Sequence, residues 1–413
     1  MSTTTTAVKT FDYKGRNAEG KIVKGRLDAG SSGSAISRMR SMGISPIEVE
    51  ESAGGTGLQR EISIPGMNKG VKLKDLSIMS RQMATMISSG LSLLRTLTIL
   101  GEQTENQALG KAIDEVRADI ESGGSLSVAM AKQPRIFPPL MIYLIRAGET
   151  GGFLDGSLES VAKTFEKEVK LQSTIKSAMT YPVVVLCIAL LSVVGMLIFI
   201  VPVFEKMFAD LGGDLPIPTQ ILVVLSKNMI WAGPLIAIGL VVFGVWWARN
   251  KNTERVRQFV DPWKLKLPVF GNLNRKVAIA RFSRNFSTML GAGVPIMQAL
   301  SIVGETSGNT VIQNALHKVA DSVRIGKSIA EPLANEPVFP AMVVQMVAVG
   351  EDSGSLESML GKIADFYDDE VEATTEQLTA LIEPLMITVM GAVIGGMIVA
   401  LYMPIFSIFN EIK

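Results

Sequence analysis

The stretch VVVLCIALLSVVGMLIFIV, Val183 to Val201, sits inside a longer segment that carries no charge between Lys176 and Glu205. At about 1.5 Å of rise per residue, nineteen apolar residues in a helix cover the roughly 30 Å hydrocarbon core of a bilayer. The segment therefore predicts a transmembrane helix. It also has a counterpart: Tyr181-Pro182 before it and Pro202-Val203-Phe204 after it return, 202 residues further on, as Glu383-Pro384 and Pro404-Ile405-Phe406. A tandem duplication accounts for this better than two unrelated spans do.

Three ordered anchors extend the duplication. SRQMATMISSG at Ser80–Gly90 matches SRNFSTMLGAG at Ser283–Gly293, ILGEQTEN from Ile99 matches IVGETSGN from Ile302, and AGETGGFL from Ala147 matches VGEDSGSL from Val349. Each unit reads as a bundle of short amphipathic helices broken at glycine and proline, followed by a span in the same place. In the first unit Leu76, Met79, Met83 and Met86 recur at helical spacing behind Asp75, a candidate cap, and Ser89-Gly90 stops them. The methionines read as core packing in preference to a peptide groove.

An unpaired span lies near Met229–Trp247, with Trp246-Trp247 as its interfacial end. From Arg249 to Arg284 ten basic residues face only Glu254 and Asp261, which puts that side in the cytoplasm by the positive-inside rule. The N-terminus is then cytoplasmic, and the loop after the first span is outside.

The expected fold is mostly α: a polytopic membrane protein with two homologous cytoplasmic helical bundles, three transmembrane helices and a small α+β N-terminal module. Its parts are that module at 1–50, a linker at 51–74, the first bundle at 75–180, span one at 181–204, and an external loop leading to span two at 205–226. Span two follows at 227–248, a basic linker and the second bundle at 249–380, and span three at 381–409. In the module, Phe11 and Tyr13 alternate ahead of the turn-forming Asn17–Gly20, and Ile22, Val23 and Leu27 continue a β pattern, which predicts a hairpin. A helix to Met42, stopped by Gly43, and a last short strand complete it. Its lysines and arginines form either a solvated face or a face for anionic lipid or an acidic partner. The start, MSTTTTAVKTFDYKG, lacks the basic-then-apolar pattern of a secretory signal, so insertion through the internal spans is expected.

With 40 basic and 39 acidic residues there is no bulk charge that points to nucleic acid. One cysteine, Cys187, allows no intrachain disulfide or cysteine metal cluster, and reads as a small apolar filler; one histidine, His317, reads as a surface helix residue and allows no His-based metal site. Gly326-Lys327-Ser328 mimics the end of a phosphate-binding loop, but Asp321 stands where that motif needs glycine and no strand precedes it. Glu149 and Glu351, each between glycines at a helix end, either cap the following helix or help hold a cation, and capping is favoured because one carboxylate is too few. No cofactor and no catalytic residue is expected.

These residues resemble the inner-membrane platform proteins shared by type IV pilus assembly and type II secretion, over nearly the whole chain. The likeness rests on the helix-ending glycines Gly90 and Gly293, on Phe137-Pro138 and Phe339-Pro340, and on Gly148-Glu149 with Gly151 and Gly350-Glu351 with Gly354. It also rests on Ala178–Pro182, which includes Tyr181 and Pro182, on Pro384, and on residues 11–50, which look like the extension of the pilus branch. The resemblance implies a non-enzymatic platform in the bacterial inner membrane. Its implied partners are a cytoplasmic hexameric assembly ATPase, pilin or pseudopilin subunits, other inner-membrane assembly components and further copies of itself. A role for tyrosine at position 181 carries over to the first repeat alone, since the second has Glu383 there. A repeat-built transporter or channel is the alternative, and uncharged spans speak against it.

One further pattern comes from overlaying the helices that lead into spans one and three. Lys163, Lys167 and Lys170 occupy one helical face, and the equivalent positions carry Asp365, Asp369 and Glu372. Either two solvated faces drifted apart in charge, or the two faces meet and set the register of the membrane-entering helices.

Overall fold

The computed structural model describes residues 9–16, 22–29, 32–51, 70–210, 215–251, 253–268 and 270–411. The chain divides into two compact units, Met1–Asn68 and Lys69–Lys413. In the first, β1 (Lys9–Arg16) and β2 (Ile22–Ala29) form an antiparallel hairpin, α1 (Ser32–Ser41) follows, and β3 (Ser45–Glu51) pairs antiparallel with β1, giving the order β2-β1-β3. Gly43, at φ +75°, turns the chain out of α1. The expected hairpin turn at Asn17–Gly20, and residues 52–69 of the expected linker, lie outside the described residues.

The described residues of the second unit form helices joined by short turns. Repeat one comprises α2 (Leu73–Ser88), α3 (Leu93–Gln103), α4 (Gln107–Glu121), α5 (Leu126–Ala131), α6 (Pro139–Gly151) and α7 (Leu154–Gly195). A π-helical turn at Met196–Ile200 joins α7 to α8 (Val201–Asp210), and α9 (Ile217–Asn250) returns through the membrane. Beyond α10 (Glu254–Lys266), repeat two repeats the pattern as α11 (Phe270–Gly291), α12 (Ile296–Thr306), α13 (Thr310–Arg324), α14 (Ala330–Ala334), α15 (Ala341–Asp352) and α16 (Leu356–Glu411). Among the described residues three helices are long and apolar enough to cross a membrane.

The duplicated motifs mark the same structural devices twice. Gly90 and Gly293 adopt φ +86° and +70°, the left-handed conformation that ends α2 and α11. Asn106 and Asn309 cap α4 and α13 through side-chain oxygens that accept from Ala108 N at 3.1 Å and Val311 N at 2.8 Å. Gly148 and Gly350 let the next helix approach: a Cβ there would lie 3.1 Å from Leu154 Cα or 3.0 Å from Leu356 Cα. The left-handed residue that follows is Gly152 in repeat one and Gly354 in repeat two, at φ +77° and +67°. The conformationally required partner of Gly354 is therefore Gly152, not Gly151, which belongs to α6.

Three other sequence expectations need correcting. Asp75 is not the cap of α2 but its third helical residue, where its carboxylate reaches back to accept from Lys72 N at 3.0 Å and also binds Asn106 Nδ2 at 2.8 Å. Residues 217–226, expected as part of a loop, are helix. Thr219 Oγ1 donates to Ala400 O and Ser226 Oγ to Leu197 O, each at 2.5 Å, while Leu197, Val201, Val223, Met397 and Leu401 form a small buried cluster. That packing extends α9 well beyond its apolar span. Cys187 is exposed on the flank of α7, so it fills no gap in the protein interior.

Both bundles contribute to one continuous apolar core. In repeat two, Phe282 is fully buried and its ring lies 5.9 Å from Phe286 and 5.3 Å from Phe339. Phe282→Ala is expected to lower the unfolding free energy by about 3–5 kcal/mol. Ile325→Ala, at a position 73% exposed, should change it by less than about 0.5 kcal/mol. Thermal unfolding in detergent checks the pair.

Candidate functional site

The two repeats meet along the bundle halves of α7 and α16, the helices that carry spans one and three. Leu171 of α7 enters a buried cluster with Leu273 of α11 and Val371 and Leu378 of α16, with Ile175 and Val277 packed around it. On the side of this apolar plug away from the spans the contact is polar. Lys167 Nζ lies 3.2 Å from Asp365 Oδ1 and 3.9 Å from Asp368 Oδ2, Arg281 pairs with Glu168, and the Thr164 and Thr288 hydroxyls stand 3.3 Å apart.

Of the oppositely charged triplets, the structure brings Lys167 and Asp365 together directly. Lys170, Asp369 and Glu372 line a groove of about 240 Å³ with them, but make no ion pair among the described residues. Lys163 turns the other way and lies 3.4 Å from Glu159 on its own helix. Glu159 holds it there because Arg81 anchors that carboxylate as well, at 2.5 Å. The equivalent of Glu159 in α16 is Gly361, which leaves no corresponding anchor.

Sequence reasoning missed the charged contact that both repeats share. Arg81 of α2 binds Glu166 of α7 at 2.6 Å, and the equivalent Arg284 of α11 binds Asp368 of α16. In each repeat this pair ties the first helix to the membrane-entering one. The signal was present: the arginine belongs to the matched Ser-Arg dipeptides, and an acid follows at corresponding positions of the last helix. In repeat two the same Asp368 also faces Lys167, so the internal tie of one bundle is shared with the contact between bundles.

Arg81 holds the Glu159 and Glu166 carboxyls below their ordinary pKa by hydrogen bonding, and burial only partly opposes it. Lys163 adds a smaller depression at Glu159. At Glu166, neighbouring Glu159 works against the depression.

Glu149 and Glu351 cap helices, though not the ones that follow them. The Glu149 carboxylate accepts from Leu126 N at 2.5 Å and Ser127 N at 3.0 Å, at the start of α5; Glu351 accepts from Ile329 N at 2.9 Å and Ala330 N at 3.3 Å, at the start of α14. Each glutamate thus reaches back from the end of one helix to the free N–H groups of an earlier one. Among the described residues no group of three or more His, Cys, Asp or Glu is placed to hold a metal.

The remaining candidates occupy ordinary positions. Lys327 lies 3.5 Å from Glu331, Ser328 Oγ accepts from Glu331 N at 3.2 Å, and the segment follows a helix. His317 is exposed on α13. Pro182 and Pro384 lie inside α7 and α16 at the membrane boundary, with Tyr181 exposed beside the first of them.

Duplicated bundles, three spans and helices continuous from bundle to bilayer define a polytopic membrane scaffold built by gene duplication. Its family follows from comparison with known proteins. Residues 79–202 and 282–404 match the family described as "Type II secretion system (T2SS), protein F", and residues 8–50 match "Type II secretion system protein F, N-terminal domain". Among curated relatives, "Type IV pilus assembly protein PilC" of Myxococcus xanthus is 40% identical over 417 residues, covering 100% of this chain and 98% of the relative. The protein of the same description from Thermus thermophilus is 41% identical, covering 98% and 99%. "Type II secretion system protein F" of Vibrio cholerae is 30% identical, covering 97% and 98%. The chain belongs to the type II secretion system protein F family.

Two outcomes are expected. Lys167→Glu should destabilise the contact between bundles, and adding Asp365→Lys should restore part of the loss, with a coupling of about 0.2–1 kcal/mol at this half-exposed site. A double-mutant cycle of thermal unfolding measures it. The second outcome concerns pH. Because Glu159 and Glu166 titrate lower when folded than the reference value of 4.5, the stabilisation from Arg81 is complete above pH 4.5 and drains as pH falls through that range. Arg81→Met should flatten this acid limb, by about 1 kcal/mol or less given the exposure of both carboxylates.

Proposed function

We propose that this chain is the inner-membrane platform of a filament-assembly machine, a type IV pilus or a type II secretion system. In this reading it couples a cytoplasmic hexameric ATPase to the insertion or extraction of pilin-like subunits, and is not itself an enzyme. The observation that carries the reading is the continuity of α7 and α16. Each runs as one helix from the seam between the bundles into a membrane span, so a displacement of one bundle against the other reaches the bilayer through continuous helix, with no loop in between. The names of the relatives supply the machine; the helices supply the means of coupling.

The bundles then lie in the cytoplasm with the N-terminus, on the side of the basic segment from Arg249 to Arg284, and α8 faces outward. Further copies of the chain would complete the platform. A transporter is the weaker reading, because the spans are apolar and the polar groups Thr219 and Ser226 are spent on backbone carbonyls that they satisfy.

With Cys187→Ser as background, Asp210→Cys should react with a membrane-impermeant thiol reagent on intact cells, while Thr253→Cys should react only after lysis. Labelling of Thr253→Cys on intact cells would reverse the orientation. From detergent extracts the chain should co-purify with an assembly ATPase and a pilin. Lys167→Glu should reduce filament number at unchanged protein level, with partial recovery in the Asp365→Lys partner variant.

A further inference from the structure

The helix α10 has two faces of opposite character. On one, Asp261 is buried: its carboxylate accepts from Thr310 N at 3.1 Å, at the start of α13, and neighbours Lys264 at 3.0 Å and Arg257 at 3.7 Å. This fixes α10 to repeat two and neutralises two of its cations. On the opposite face Phe259 and Trp263, one helical turn apart, are 70% and 62% exposed. Arg255 and Lys266 flank them on the same face, exposed and without an ion pair among the described residues.

Two observations place this face at the bilayer. Thr253 stands three residues beyond Asn250, the end of the apolar helix α9, and Arg249 and Lys251 at that junction are also exposed and without an ion pair among the described residues. In addition, α11 packs antiparallel to α16, so its N-terminal end points towards the membrane. Ser287 contacts Glu357, Arg284 contacts Asp368, Lys276 reaches Thr374, and Leu273 shares a cluster with Leu378. One further turn brings Phe270, 39% exposed, level with the turn of α16 that leads into Pro384. The corner between α10 and α11, with Leu267 48% exposed, is held at the height where the spans enter.

We infer that α10 lies in the headgroup region of the membrane, with Phe259 and Trp263 inserted at the acyl boundary and Arg255 and Lys266 binding anionic phospholipid headgroups. Two aromatic rings between two free cations on a helix next to a span are the composition of an interfacial anchor. Asp261 clamps the other face to α13, so the anchor ties repeat two to the bilayer independently of α16. Repeat one has no such tie among the described residues, since its first helix, α2, starts directly at Leu73.

The test uses the full chain in nanodiscs, in which three of the four tryptophans are replaced by phenylalanine. With Trp263 alone retained, brominated phosphatidylcholine should quench its emission. Replacing part of the neutral lipid by phosphatidylglycerol should increase the quenched fraction. Arg255→Glu with Lys266→Glu should abolish that increase, since each basic residue near an anionic surface is worth roughly a fivefold change in interfacial population. A companion protein retaining Trp247 alone reports whether α9 is in the bilayer. Quenching of Trp247 without quenching of Trp263 overturns the anchor and leaves the spans intact. A Trp263 shielded only on raising the number of copies per disc assigns the face to a second copy, which also overturns it. If neither tryptophan is quenched, α9 does not span and the anchor falls with it.

Discussion

The structure depends on one constraint: α7 and α16 must remain helical from the bundles into the membrane. Inside the hydrocarbon every backbone N–H and C=O has to be satisfied within the segment, which a helix does and a loop does not. Pro182 and Pro384 each remove one helical hydrogen bond at the same point of the repeat, where the helices leave the bundles. The weakest turn of each helix therefore lies between the seam and the span. Any bending would concentrate there, with the bundle below and the apolar helix above moving as separate rods.

Such a design demands that the helices be held firmly below that turn. The repeated arginine-carboxylate pair does this within each bundle, and the Leu171 plug does it between them. The plug is asymmetric. Repeat two carries Ala373, exposed, at the position equivalent to Leu171, so it has no knob of its own to offer another socket. On repeat one, Ile78 takes the place of Arg281 and stays 48% exposed. Duplication supplied two similar bundles, and divergence at these few positions gave them a contact in which each plays a different part. A contact made from unlike surfaces does not close by symmetry within the chain.

Much of this was legible in the sequence, for reasons that differ between elements. The spans were legible because hydrocarbon tolerates no charge, and the repeat because Gly90, Gly293, Asn106 and Asn309 perform conformational tasks that few other residues can perform. The caps by Glu149 and Glu351 were half legible. Two glutamates at equivalent helix ends pointed to capping, but which helix they cap depends on how α5 and α14 fold back, a tertiary fact that local spacing does not carry. The turn between Gly151 and Gly152 was misassigned for a similar reason: adjacent glycines are alike in sequence, and only the backbone angle separates them.

The charge triplets show where the limit lies. Helical periodicity correctly put Lys163, Lys167 and Lys170 on one face, yet a face is broad, and a neighbouring helix touches a narrow strip of it. Lys167 falls on that strip, Lys170 on its edge and Lys163 beyond it, where Glu159 captures it. The register between α7 and α16 also differs from that of the duplication. Lys167 meets Asp365 and Asp368, whereas its duplicate is Asp369, because α16 is placed by its own packing on α11, and the acid that repeat two uses to hold Arg284 becomes the one that repeat one finds opposite Lys167. One carboxylate, Asp368, thus belongs to both ties, so a strain that loosens the seam also loosens the anchor of α16 within its own bundle.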